Sequence, residues 1–224
     1  MPLDTSRPDL TIGIVGTGIM GRGIAQIAAQ AGVRVLLYDT RADAAPAARE
    51  YITSTLAKLV EKGKLGADAA QRAVAKTEVA QALPALSACH LVIEAIVEDL
   101  VAKRDLFAHL EAIVSDACIL ATNTSSLQVT SVAAGARHPE RVAGYHFFNP
   151  VPLMKLVEVI DGVMTAPWVG KALDAIATRM GHKPVRAKDT PGFIVNHAGR
   201  AYVTEALRIV SEGIAGFADI DRIL

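Results

Sequence analysis

One stretch of the chain, GYHFFNPVPLMKLVEVI at residues 144–160, places two ionisable side chains in an otherwise apolar pattern. His146 stands at the carboxyl end of one apolar run, and Glu158 interrupts a second run twelve positions later. An imidazole titrates near neutral pH, and a carboxylate behind it fixes its tautomer and favours the imidazolium. If the two runs are adjacent antiparallel strands, the pair can transfer a proton. The alternative is a histidine at a strand edge and a glutamate at the surface.

A second stretch, IVGTGIMGRG, carries Gly16, Gly18 and Gly21 in the spacing G-x-G-x-x-G. It follows a predicted strand and opens a predicted helix, as a dinucleotide-binding turn does, and the helix start offers N–H groups to phosphates. Asp39 ends the next predicted strand, where a carboxylate binds a ribose 2′-hydroxyl and repels a 2′-phosphate. We therefore predict NAD rather than NADP, although the neighbouring Arg41 would suit NADP. A plain glycine-rich turn is the alternative.

A histidine–carboxylate pair beside a nicotinamide is typical of the oxidation of an alcohol to a ketone. Polar residues elsewhere complete the predicted crevice. Asn123 and Ser125 follow a strand end and could hydrogen-bond a carbonyl or the cofactor amide. Asn149 precedes a proline in a turn, where asparagine also has conformational reasons to occur, and Asn196 faces either the cleft or solvent. No metal site is predicted, because no ligand spacing occurs.

Strands and helices alternate along the chain. Apolar β-rich runs at 11–16, 33–39, 90–96, 118–125 and 183–189 are separated by helical stretches, of which 42–62 and 98–114 are the longest. Such alternation predicts βαβ units and a parallel sheet, whereas the two runs within 144–160 have no helix between them and predict an antiparallel edge.

The predicted fold class is therefore α/β, with a Rossmann-type mostly parallel sheet, an antiparallel edge and the start of an all-α domain. Pro191 and Gly192 punctuate the chain after the last strand. We place an NAD-binding Rossmann domain at 8–190 and the beginning of a helical domain at 191–224.

Composition excludes several classes of protein. The 224 residues are 51% apolar and 21% charged, as in ordinary globular proteins, and 23 basic residues balance 23 acidic ones. No basic field is left for nucleic acid or a membrane surface. No apolar run approaches the roughly 18 residues of a membrane span, and no secretory signal is evident, so we expect a cytoplasmic protein. Cys89 and Cys118 are predicted to be buried thiols.

Together these motifs resemble the 3-hydroxyacyl-CoA dehydrogenase family, which includes 3-hydroxybutyryl-CoA dehydrogenases. The likeness rests on GTGIMGRGIA, EAIVED, ATNTSSL, GYHFFNPVPLMKLVEVI and DTPGFIVN, in family order over essentially the whole chain. It implies NAD-dependent oxidation of L-3-hydroxyacyl-CoA to 3-ketoacyl-CoA, in short- to medium-chain acyl-CoA metabolism such as β-oxidation. Two alternatives are another β-hydroxyacid dehydrogenase, which generally uses a lysine base, and a non-catalytic NAD-binding relative.

The resemblance also implies roles for individual residues. His146 would be the general base and acid, and Glu158 its orienting partner. Ser125 and Asn196 would help to polarise the substrate oxygen. The implied cofactor contacts are Gly16, Thr17, Gly18, Ile19, Met20, Gly21, Asp39, Glu98, Lys103, Asn123, Ser125 and Asn149.

For the acyl-CoA substrate, the resemblance implies contacts from Ser125 and, on the helix after the second strand, from Thr55 and Lys62. A solvated helix-end lysine is the alternative for Lys62. The chain departs from the family at His197, where an arginine is expected. Family members also continue for about a hundred residues, a typical domain size, as a helical domain that forms a homodimer. We expect this chain to end inside that domain, and we expect the homodimer for the full-length family member only.

Overall fold

Eight strands form one sheet in the computed structural model, which describes residues 3–223. They are β1 (Thr11–Val15), β2 (Arg34–Tyr38), β3 (Thr77–Val79), β4 (Leu91–Glu94), β5 (Ile119–Thr122), β6 (Val142–Phe147), β7 (Leu156–Asp161) and β8 (Lys183–Lys188). Their order is β3-β2-β1-β4-β5-β6-β7-β8. The first six are parallel, β7 is antiparallel to β6, and β8 is parallel to β7. The predicted Rossmann-type sheet with an antiparallel edge is confirmed.

Helices cover both faces of this sheet. They are α1 (Ile19–Gln30), α2 (Ala44–Glu61), α3 (Ala67–Ala75), α4 (Leu100–Glu111), α5 (Val129–Ala133), α6 (Pro167–Arg179), α7 (Val195–Ser211) and α8 (Phe217–Ile223). One core lies beneath α1, α2, α3 and α6, and the other beneath α4 and α5. The predicted start of a helical domain corresponds to α7 and α8, whereas the division of domains at 190 stays a prediction.

None of the helices within residues 3–223 combines the length and the apolar character that a membrane crossing requires.

Burial on both faces explains why the strands read as continuous apolar runs. Every residue of β1 is buried, and alternate side chains enter opposite cores: Ile12 and Ile14 face one, and Val15 faces the other. Cys89 and Cys118 lie in the second core as free thiols, which confirms their predicted burial. Burial raises the pKa of the Cys89 thiol to about 12.

Between α2 and β4, a helix and a strand were not predicted. The segment between α2 and β4 contains α3 and β3, and β3 adds a parallel edge strand beside β2. A strand of three residues is too short to show a period, and α3 is alanine-rich with few large apolar side chains. The five strands predicted at 11–16, 33–39, 90–96, 118–125 and 183–189 each end one to three residues earlier in the structure than predicted. The last residues of each predicted strand belong to the loop that follows it.

Successive side chains of β6 point to opposite faces of the sheet, and all six residues are buried. Tyr145 is buried beneath α6, where its hydroxyl donates to the Leu173 carbonyl oxygen at 3.0 Å. Gly144 and His146 face the other side, where Val129 and Ile160 pack together. A Cβ on Gly144 would lie 2.7 Å from Val129 Cγ2 and 3.0 Å from Ile160 Cβ. The missing side chain is therefore what lets these two residues approach the strand that carries His146.

We expect Gly144→Ala to lower the free energy of unfolding by about 1–3 kcal/mol, the usual effect of forcing a methyl group into a filled core. Urea denaturation followed by circular dichroism measures it. Gly135→Ala is the matched control, because a Cβ there meets nothing within 4 Å. Equal stability of the two variants would contradict the packing described here.

Candidate active site

The antiparallel register of β6 and β7 places His146 directly opposite Glu158. His146 Nδ1 lies 2.7 Å from Glu158 Oε2, and the two side chains are 4% and 0% exposed. The alternative of a surface glutamate is therefore wrong. Since a carboxylate only accepts hydrogen bonds, Nδ1 carries a proton, and Nε2 of the neutral ring is left with its lone pair.

The second carboxylate oxygen of Glu158 is held by the start of α7. Oε1 accepts hydrogen bonds from the backbone N–H groups of Ile194 at 2.8 Å and Val195 at 2.9 Å. The turn before them is tight, with φ of +87° at Gly192 and +47° at Phe193. A left-handed conformation at a non-glycine residue costs about 1–3 kcal/mol. The buried carboxylate is thereby satisfied at both oxygens, as a buried charge requires.

Ser125 lies at the open side of His146. Its Oγ is 3.0 Å from His146 Nε2, and with the ring proton on Nδ1 the hydroxyl is the donor of this hydrogen bond. Phe148 and Phe193 flank the imidazole, with ring centroids at 4.5 and 5.5 Å. Carboxylate, imidazole and hydroxyl thus form one chain of hydrogen bonds that ends toward the carboxyl edge of the sheet.

Glu98 holds the loop that carries Ser125. Its Oε1 accepts the Thr124 hydroxyl at 2.5 Å and the backbone N–H groups of Ser125 and Ser126 at 2.9 and 3.0 Å. Burial alone would raise the pKa of Glu98. The Thr124 hydroxyl, the charge of Lys103 and the loop N–H groups outweigh it and lower that pKa to about 2. The Glu98 carboxylate is therefore a fixed negative charge behind the loop.

Beneath this loop lies a buried ion pair that the sequence analysis missed. Lys103 Nζ lies 2.6 Å from Glu94 Oε1 and 3.3 Å from Glu98 Oε2, and Lys103 is 1% exposed. Glu94 also accepts the Thr122 hydroxyl and the Ile96 N–H, both at 2.7 Å. The available signal was a glutamate closing the apolar run HLVIE. Lys103 lies behind the loop, and its implied cofactor contact stays a prediction.

The glycine loop after β1 has the shape of a phosphate cradle. Gly16 has φ of +90°, and a Cβ on it would lie 2.5 Å from the Ala95 carbonyl oxygen. A Cβ on Gly21 would lie 1.9 Å from the Gly16 carbonyl oxygen, so α1 packs tightly against the loop. At Gly18 a Cβ would meet nothing within 4 Å, which leaves that backbone open to a ligand. The first turn of α1 holds no acidic residue that would compete for its N–H groups.

Asp39 faces this loop from the end of β2. Its Oδ2 accepts the backbone N–H and the hydroxyl of Thr17 at 2.8 and 3.0 Å, and its Oδ1 accepts the Arg41 N–H at 3.1 Å. Partial burial would raise the pKa of Asp39, but these hydrogen bonds outweigh it and hold that pKa below its ordinary value. A cavity of about 330 Å³ opens between Asp39, Gly18 and the loop after β4. The residues present therefore fit the adenosine diphosphate half of NAD.

The remaining residues that were predicted to bind the cofactor or the substrate are not all in contact with the dyad formed by His146 and Glu158. Asn123 Oδ1 accepts the Phe147 N–H at 2.9 Å, which ties the ends of β5 and β6 together. Asn196 Nδ2 lies 3.4 Å from the Ser125 carbonyl oxygen, so it does reach the same loop. Asn149 is exposed. At the start of α1, Ile19 is exposed and Met20 is half-buried.

The two residues expected to bind CoA lie on α2 and not at the dyad. Thr55 is half-buried in the helix, and Lys62 is exposed directly after its last residue. Within residues 3–223 neither makes a hydrogen bond or ion pair to His146, Glu158 or Ser125. Their substrate contacts stay predictions.

The family described as 3-hydroxyacyl-CoA dehydrogenase, NAD binding domain, matches residues 11–190, and its C-terminal domain matches residues 192–224. The chain is 44% identical to the 3-hydroxyadipyl-CoA dehydrogenase of Escherichia coli K12, with 96% of the chain aligned. It is 40% identical to a probable 3-hydroxybutyryl-CoA dehydrogenase of Bacillus subtilis, with 94% aligned. The alignments cover 45% and 74% of these relatives, so the chain spans about half the length of the first.

Solved structures give the same result. A 3-hydroxybutyryl-CoA dehydrogenase of Escherichia coli K12 superposes with a TM-score of 0.90 at 44% identity, over 92% of this chain and 44% of that one. The (S)-3-hydroxybutyryl-CoA dehydrogenase of Ralstonia eutropha also gives 0.90, at 36% identity, over 93% of this chain and 74% of that one.

The lowered pKa of Glu98 predicts a pH dependence of stability. Its carboxylate is protonated near pH 4.5 in the unfolded chain but only near pH 2 in the folded one. The stabilisation is therefore fully present above pH 4.5 and is lost as the pH falls toward 2. We expect Glu98→Gln to flatten the dependence of unfolding free energy on pH below 4.5, measured by urea titration. Glu61→Gln, at an exposed position, is the control, and an unchanged slope in Glu98→Gln would contradict the assignment.

Proposed function

Because this chain belongs to the 3-hydroxyacyl-CoA dehydrogenase family, we propose that the protein interconverts L-3-hydroxyacyl-CoA and 3-ketoacyl-CoA with NAD as hydride acceptor. One observation carries the proposal: the hydrogen-bonded chain of Glu158, His146 and Ser125 ends at the carboxyl edge of the sheet. The glycine loop opens at the same edge, where sheets of this kind bind their ligands.

His146 is the proton-transfer residue in this proposal. Its Nε2 lone pair takes the proton of the substrate hydroxyl while the hydride leaves C3, so that a ketone is formed. The imidazolium that results is stabilised by the Glu158 carboxylate, which lies between Nδ1 and two backbone N–H groups. In the reverse reaction the imidazolium returns its proton to the forming alkoxide. NAD, when bound, supplies the nicotinamide that accepts the hydride.

Ser125 and Asn196 orient the reacting oxygen in this proposal. The Ser125 hydroxyl already lies at hydrogen-bond distance from Nε2, and a substrate oxygen would bind beside both groups. Asn196 approaches the same loop from α7. Asn123 fixes the strand ends on the cofactor side through its bond to the Phe147 N–H. A lysine base, as other β-hydroxyacid dehydrogenases use, finds no support in Lys103, whose Nζ is buried between carboxylates.

We further propose a short- to medium-chain acyl-CoA substrate, since the similar proteins are named for 3-hydroxyadipyl-CoA and 3-hydroxybutyryl-CoA. Thr55 and Lys62 would bind the CoA moiety. A cytoplasmic location and a homodimer of the full-length protein belong to the same proposal.

We expect His146→Gln and Glu158→Gln to reduce the oxidation of NADH by acetoacetyl-CoA by a factor of about 10² to 10⁴, because each removes a member of the proton-transfer pair. Stopped-flow absorbance at the NADH band measures the rate in the natural full-length protein, and circular dichroism checks folding. His109→Gln, on the exposed face of α4, is the matched control. Full activity in either dyad variant would contradict the assigned roles.

We expect Asp39→Asn to raise the KM for NADH roughly tenfold, because the variant loses the charge that binds the ribose hydroxyls. We also expect a smaller preference for NADH over NADPH, because the same charge repels a 2′-phosphate. Steady-state kinetics with both cofactors test this. Asp43→Asn, exposed at the next turn, should change neither constant. An unaltered cofactor preference in Asp39→Asn would show that another residue discriminates.

A further inference from the structure

Arg22 and Tyr51 form a contact that the site described above does not use. The guanidinium carbon of Arg22, on α1, lies 3.8 Å from the centroid of the Tyr51 ring on α2. Tyr51 is 45% exposed, and Arg22 is half-buried. The ring holds the guanidinium by a cation–π contact, and among the residues that the structure describes the Arg22 guanidinium donates no hydrogen bond. With respect to residues 3–223, Arg22 is therefore a positioned cation whose N–H donors can bind a ligand.

The position of Arg22 is unfavourable for a cation unless an anion is near. Arg22 is the fourth residue of α1, close to the positive end of the helix dipole, and no acidic residue lies in that turn. Several arginine side chains form ion pairs with carboxylates, but within residues 3–223 Arg22 is in none of these pairs. A guanidinium at such a place is best neutralised by a ligand, and phosphate oxygens match its planar fork.

The same side of α2 carries further groups that suit a phosphate. At about 100° per residue, Tyr51, Thr55, Lys58 and Lys62 fall within about 60° of one another around the helix. They flank the buried face formed by Ile52 and Leu56. Because Arg22 rests on Tyr51, this stripe starts beside the first turns of α1, where the glycine loop opens.

We propose that Arg22, held on Tyr51, binds the phosphates of the acyl-CoA nucleotide and so extends the binding surface from Thr55 and Lys62 to the mouth of the crevice. This inference rests on the proposed function, because it takes acyl-CoA as the substrate. The ring of Tyr51 orders the guanidinium before binding, which lowers the entropy lost when the phosphate is bound. NAD also carries phosphates at the start of α1, so the experiment separates the two ligands.

The test compares substrates with and without the nucleotide in the natural full-length protein. Arg22→Gln should raise the KM for acetoacetyl-CoA about tenfold, the usual effect of losing a charge-assisted hydrogen bond. It should leave kcat, the KM for acetoacetyl-pantetheine and the KM for NADH unchanged.

Tyr51→Leu should raise the KM for acetoacetyl-CoA in the same way, and Tyr51→Phe, which keeps the ring, should not. Arg72→Gln is the matched control, since Arg72 is exposed beside Arg34 near the opposite end of β2.

An unchanged KM for acetoacetyl-CoA in Arg22→Gln would overturn the proposal, and so would a rise confined to NADH, which would assign Arg22 to the cofactor. Calorimetry with coenzyme A alone separates this inference from the proposed activity, since it needs no turnover. If acetoacetyl-CoA is not reduced, about tenfold weaker coenzyme A binding by Arg22→Gln still supports the phosphate site. Equal binding by the wild type and the variant, or no binding by either, overturns it.

Discussion

The hydrogen bond between His146 and Glu158 exists because β7 runs antiparallel to β6, so that the two residues face each other across one register position. A slip of one residue would turn Glu158 into the opposite core, because side chains alternate along a strand. A parallel β7 would need a long crossover connection of a dozen or more residues in place of the short loop. The short loop after β6 therefore determines both the sheet edge and the proton-transfer pair.

Three carboxylates hold the loops of the site in place. Glu158 binds the N–H groups at the start of α7, Glu98 binds those around Ser125, and Asp39 binds that of Thr17. In each case the charge is satisfied by backbone N–H groups of the protein, which have fixed directions. Backbone N–H groups contribute to the lowered pKa values of Asp39 and Glu98, and for Glu98 the Thr124 hydroxyl and the charge of Lys103 contribute more. The loops are thereby preorganised to receive a ligand.

The sequence predicted those features of the fold and the site that depend on a short local pattern of residues. The glycine spacing located the cradle, and the lack of a helix between the two halves of residues 144–160 predicted the antiparallel edge. The ion pair of Lys103 with Glu94 could not be predicted, because its partners come from different elements that only the folded sheet brings together. The two backbone N–H groups that hold Glu158 were also beyond reach, since they depend on a left-handed turn at Phe193.

A crystal structure of the natural full-length protein with NADH and acetoacetyl-CoA tests the central claim most directly. The account predicts that the keto oxygen lies about 3 Å from His146 Nε2 and within reach of the Ser125 hydroxyl, with the His146–Glu158 hydrogen bond intact. A keto oxygen bound elsewhere, with Nε2 facing solvent or protein, would contradict the assignment of His146 and Glu158 as the proton-transfer pair.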